Sequence, residues 1–295
     1  MDVEMKIQEP INKVTRKQKV KNYSKHPGSF LLALLTKLAI LLTVLALGFI
    51  LIYILVKGIP NLSTDLFALK YTTENVSMLP AIINTLIITL LSLCIAGPIG
   101  IFSAIYLVEY AKKGNKLVGV VRVTAETLTG IPSIVYGLFG MLFFVTTLKC
   151  GYSLLAGALT LSIMVLPVIM RTTEEALLAV PNSFREGSFG LGAGKLRTIF
   201  KIVLPSAVPG ILAGVILAIG RMVGETAALI YTAGTVAEIP SSIMSSGRTL
   251  AIHMYSLSKE GLYTNQAYAT AVVLLIVVVL INMLSNFVAK KFTKK

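Results

Sequence analysis

Charge is what this sequence has least of. Only 14% of its 295 residues are Asp, Glu, Lys or Arg, whereas a soluble domain carries about a quarter. Hydrophobic residues make up 55% and the mean hydropathy is +0.83, so lipid is the solvent for much of the chain. Tryptophan is absent, and interfacial anchoring falls to Tyr53, Tyr106, Tyr110, Tyr152 and Tyr231 near the ends of apolar runs. The two cysteines, Cys94 inside one run and Cys150 at the edge of another, make neither a disulfide framework nor a metal site. The two histidines, His26 and His253, belong to no ligand-like cluster.

What is there is a series of six apolar runs: roughly 30–56, 82–108, 118–148, 154–170, 207–233 and 267–288. A spanning helix needs about 20 such residues, and in lipid each backbone polar group must be paired within its own segment. The pattern therefore predicts an all-α membrane protein with six transmembrane helices. The first run is too long for a signal-peptide core and is read as a retained helix. The net charge of +14 is unevenly spread. With the N-terminus inside, twenty basic residues fall in inside segments and five outside. That is the positive-inside bias, which predicts two cytoplasmic termini and accounts for the basic balance without nucleic acid.

The expected organisation is a basic N-terminal segment 1–29, a first span 30–56, an outside loop 57–81, a membrane domain 80–289 and a tail 290–295. Within the membrane domain, 171–206 is the one long cytoplasmic segment and 234–266 the longest outside loop. Two runs are interrupted, at Gly97-Pro98 and at Gly130-Ile131-Pro132-Ser133. Proline inside a helix frees a carbonyl and strains the preceding turn. In lipid that is tolerated where neighbours or a wet path satisfy the freed groups, so each break reads as a packing kink or as path lining.

Arg221 and Glu225 lie within the fifth run. Each charge costs about 2.5–3.5 kcal/mol at mid-membrane on insertion scales. Their i, i+4 spacing predicts one helical face and partial mutual compensation. The pair reads as a structural ion pair holding the bundle or as a substrate contact, and a guanidinium there suits two-point capture of an oxyanion. Arg122 and Glu126 repeat the spacing near the inner end of the third run and read as a mainly structural pair.

The stretch Gly190-Leu-Gly192-Ala-Gly194-Lys195 looks like a phosphate cradle. It is one residue short of the G-x-x-x-x-G-K-[ST] loop, and Leu196 stands where a hydroxyl is required. Its glycines also miss G-x-G-x-x-G spacing. A helix-turn-helix fits better. Ser183 and Glu186 match a capping box, and glycine follows as at a helix end. After it, Leu196, Ile199, Phe200, Val203 and Leu204 form one apolar stripe that Pro205 is expected to end. Such an element lies at the membrane interface or docks a cytosolic partner.

Extended to 186–205, the stretch resembles the cytoplasmic signature of ABC importer permeases: Glu186-Gly187-Ser188, then Gly192, then Ile202, Leu204 and Pro205, with the spacing kept throughout. Gly187-Ser188 replaces the usual Ala-Ala. More narrowly, IYLVEYA at 105–111, GIPSIVYGLFG at 130–140, LAGALTLSIMVLPVIMRTTEEAL at 155–177 and GRMVGETAAL at 220–229 are similar to the permeases of the phosphate-specific importer, most of all its PstA-type subunit. The resemblance implies the importer permease fold in a bacterial inner membrane. It implies a coupling helix seated on an ATPase subunit, and a path for inorganic phosphate containing Arg221, Glu225 and Thr226. The expected partners are a PstC-type permease, two PstB-type ATPase subunits and an external PstS-type phosphate-binding protein. The chain would hydrolyse nothing and hold no cofactor, ATP and Mg being bound by the ATPase subunits. Permeases for sulfate or molybdate, and an ion-coupled transporter, are the alternatives.

Overall fold

The computed structural model describes residues 27–112 and 114–293. The basic residues of the N-terminal segment up to Lys25, together with Lys113, Lys294 and Lys295, lie outside the described residues. The chain divides into two units at Ile54–Leu55. The first is occupied by helix α1 (Pro27–Gly58), which is apolar apart from a few polar residues and Lys37 and Lys57 and continues a few residues into the second.

The second unit is helical, and no strand occurs among the described residues. Its elements are α2 (Leu79–Ile105), α3 (Lys116–Thr129), α4 (Ser133–Gly140), α5 (Leu154–Leu178), α6 (Asn182–Gly190), α7 (Lys195–Thr198), α8 (Leu204–Val223), α9 (Ala227–Ile230), α10 (Leu250–Glu260) and α11 (Thr264–Thr293). Wider π turns prolong α2 through Tyr106–Tyr110 and α4 through Met141–Thr147, and join α7 to α8 through Ile199–Val203. Among the described residues, five helical segments are long and apolar enough to cross a membrane, six if α3 and α4 count as one bent span.

The break expected in the third run is present, and α3 and α4 meet there at 102°. Three expectations change. Helix α2 runs unbroken through Pro98, which is exposed on its surface. The fourth run does not stop at Met170, since α5 continues to Leu178 around Pro167. Pro205 does not end a helix but stands in the first turn of α8, where its missing N–H costs least.

Helix α5 is the axis of the unit. Its Leu161, Met164, Val165 and Ile169 form a core with Ile88 and Ala96 of α2, Tyr136 of α4, Met222 and Val223 of α8, and Leu229 of α9. Small residues set the closest approaches. A Cβ on Gly210 of α8 would lie 2.6 Å from the Ala176 Cβ of α5, and one on Gly214 would overlap Thr172. Pairs of small residues four apart on facing helices are what let membrane helices meet backbone to backbone. Helix α2 defines the two ends of the bundle. Its start bonds to α10, where Thr85 Oγ1 accepts from the Leu250 N–H at 2.8 Å, and its far end bonds to α6 through Glu109.

Candidate functional site

Helix α8 closes at Val223, so the i, i+4 relation between Arg221 and Glu225 does not hold. Gly224 ends the helix with φ −86° and ψ −3°, and Glu225 belongs to the next element. Its Oε1 accepts the Ala228 N–H at 3.1 Å and so caps α9. Arg221 stands in the last turn of α8, about 26 Å from Leu204 by helix rise. Each charge is thus compensated by a helix end, the cation at a C-terminus and the carboxylate at an N-terminus, rather than by the other. Among the described residues the Arg221 guanidinium has no ion-pair or hydrogen-bond partner, and it is partly exposed, whereas Glu225 is buried. Thr226 sits in the break with a long contact from its hydroxyl to the Gly224 carbonyl, 3.4 Å.

The α3–α4 bend lies alongside this break. A Cβ on Gly137 of α4 would be 2.8 Å from Ala228 Cα, and Ile131 packs on the same core as Ile230. The Tyr136 hydroxyl donates to the Leu128 carbonyl at 2.7 Å, within electrostatic reach of Arg221. Gly130, Pro132 and Ser133 therefore lie at a chain break whose following helix packs against the segment after Gly224, while Pro98 stands on an unbroken helix.

The expected Arg122–Glu126 pair is also re-partnered. Arg122 reaches across to Glu174 of α5, and Glu126 faces Arg171 at 3.7 Å, which in turn bonds Glu175 at 3.1 Å. Facing helices offer Arg122 a carboxylate at 12% exposure, against 73% for Glu126, and the less hydrated partner wins.

At the α6 end the signature residues form one exposed feature. Glu186, Gly187 and Ser188 lie within α6, which starts at Asn182 after Pro181 and carries no side-chain cap. The capping box is therefore not formed: Ser183 is already inside the helix. Gly192 follows at φ +80°, the left-handed conformation glycine supplies at helix ends. A concavity lined by Ser183, Phe184, Gly187, Ser188, Gly192 and Ile202, among others, opens on this surface. Leu191 is 91% exposed. In the following stripe Ile199 and Val203 are buried, Leu196 and Phe200 exposed; Leu204 is partly buried and Pro205 exposed.

Reasoning from sequence missed Glu109 and Arg185. Arg185 Nε and Nη2 both donate to Glu109 Oε1, at 3.1 and 2.7 Å. The only hint was a carboxylate, Glu109, at the inner end of an apolar run.

The family model described as binding-protein-dependent transport system inner membrane component matches residues 96–295. The phosphate transport system permease protein PstA of Pasteurella multocida (strain Pm70) is 36% identical over 269 residues, covering 87% of this chain and 92% of that one. The probable ABC transporter permease protein YqgI of Bacillus subtilis (strain 168) is 32% identical over 261 residues, 82% of this chain and 88% of that one. Among solved structures, a bacterial alginate ABC transporter in complex with a pentasaccharide-bound periplasmic protein superposes with a TM-score of 0.67 at 16% identity, covering 92% of this chain and 98% of that one. At that identity the likeness concerns the fold alone.

Proposed function

Since the chain belongs to the family of binding-protein-dependent transport system inner membrane components, we propose that it forms half of the translocation path of an ATP-driven inorganic phosphate importer. The relative named for phosphate transport aligns over most of both chains. The observation that carries the reading is Arg221: a cation far along a membrane helix, partly exposed, with no protein counter-charge among the described residues. A guanidinium so left can offset the desolvation of a passing oxyanion. A tight fit is not required, because conduction needs release as well as capture.

The chain sits in the inner membrane with both termini in the cytoplasm. It pairs there with a PstC-type permease and two PstB-type ATPase subunits, and receives phosphate from an external PstS-type protein. The surface of Glu186–Gly192 meets the ATPase subunit. ATP and Mg are bound there, not here, and closure of the ATPase dimer displaces α6 and opens the path outward. Glu225 fixes the start of α9 beside Arg221 rather than neutralising it.

Radiolabelled phosphate uptake by the assembled complex, with sulfate and molybdate as competitors, tests the substrate. Uptake of labelled sulfate or molybdate in place of phosphate would overturn it. Transport that survives ATP depletion while an ion gradient persists would favour an ion-coupled transporter. Arg221→Gln is expected to abolish uptake while the complex still assembles; normal uptake in that variant would return Arg221 to a structural role.

A further inference from the structure

Helix α6 carries no buried residue. Apolar packing, which holds every long helix of the second unit, does not hold this one. What ties it to the bundle is polar. The Arg185 guanidinium donates twice to Glu109 Oε1, while its Nη1 donates to the Val180 carbonyl at 2.8 Å and its Nη2 to the Leu177 carbonyl at 2.9 Å. The Leu177 carbonyl lies in the closing turn of α5 and that of Val180 two residues beyond its end, where regular helical donors run out. Glu109 lies in the π turn that ends α2. A single side chain on α6 therefore grips the ends of both α2 and α5.

The grip is shielded from water: the Arg185 side chain is 15% exposed and that of Glu109 is 9%. Charge-assisted bonds in such a place are shorter and firmer than surface pairs. One residue along from Glu109, Lys195 Nζ of α7 stands 4.9 Å from the Tyr110 ring centroid, which ties α7 to the same end of α2. The 2.8 Å contact of the Ser188 and Thr198 hydroxyls joins α6 to α7.

We propose that Glu109 and Arg185 are positioning residues for coupled transport. Together they form the clamp by which displacement of α6 pulls on α2 and α5, and not only on the α7–α8 segment that follows it in the chain. This rests on the importer reading above. Breaking the clamp should leave α6 attached to its ATPase partner while the motion fails to reach the helix bundle.

The test uses the whole complex in proteoliposomes, with its binding protein and phosphate, measuring uptake and ATP hydrolysis together. Glu109→Gln removes the charge but leaves Arg185 both of its carbonyl acceptors. The expected result is intact assembly, retained hydrolysis, and phosphate moved per ATP lowered about tenfold. Glu109→Asp, which keeps a carboxylate acceptor for Arg185 and leaves its two carbonyl bonds in place, should recover part of that ratio. An unchanged ratio in Glu109→Gln overturns the proposal. So does loss of the assembled complex, which would make the pair a structural brace. Selective import of sulfate by the unaltered complex would instead sink the substrate reading, and the ratio would still be measurable with that anion.

Discussion

His253 gives a prediction whose size follows from its surroundings. It is fully buried in α10, edge-on to Tyr71 at 6.2 Å between ring centroids. Arg248, itself 5% exposed, lies over the other contact surface of that tyrosine at 4.7 Å. The Val76 backbone is beside the imidazole, yet neither ring nitrogen makes a hydrogen bond of good geometry. Burial, and then the Arg248 charge, push the His253 pKa down from 6.5 to about 3. The folded ring stays neutral wherever α10 is closed, while an opened α10 takes up a proton below about pH 6.5. The opened form binds more protons, so closure is favoured above that pH and weakens as pH falls toward 3. Between about pH 7.5 and pH 5 the loss is about 2 kcal/mol, or roughly thirtyfold in the opening equilibrium. Hydrogen–deuterium exchange of the 250–260 amides in the purified complex, corrected for intrinsic exchange rates, reads this directly. The expected result is a roughly thirtyfold loss of protection across that range, abolished in His253→Phe, which keeps an aromatic ring against Tyr71. Equal losses in the parent and the variant would refute the argument.

Two other predictions concern helices. Gly187→Ala restores the usual signature residue; nothing lies within 4 Å of the added methyl. It is expected to stabilise α6 by about 1 kcal/mol with uptake unimpaired, while reduced co-purification of the ATPase subunit would show that this smallness serves the partner. At the α3–α5 contact, Glu174→Gln is expected to destabilise the detergent-solubilised complex by about 1–3 kcal/mol by leaving Arg122 without its least exposed partner, and Glu126→Gln by less than about 1 kcal/mol. Thermal unfolding followed by circular dichroism separates them, and equal effects would mean that Arg122 exchanges freely between the two carboxylates.

The apolar runs made the spans legible, because run length and lipid leave the backbone one solution. The signature around Glu186–Pro205 was legible because its spacing is fixed by one helix, one turn and the next helix. Charge partners were not. Reading i, i+4 pairs assumes an unbroken helix and no better partner on a facing one, and each assumption failed once. Gly224 stops α8 between Arg221 and Glu225, and α5 brings Glu174 to Arg122 from 52 positions away. Pro98 misled in the opposite direction: a proline on an exposed helix face need not break it. Arg185 was counted as a mark of topology, since nothing local shows that it reaches the carboxylate of Glu109, 76 residues earlier.

The seam between α5 and α8 limits how the bundle can move. Gly210 and Gly214 seat Ala176 and Thr172 so closely that one residue of axial travel, about 1.5 Å, would drive each methyl into backbone. These two helices have no sliding stroke. The break at Gly224–Thr226, next to Arg221, is where α8 and with it this close-packed seam ends.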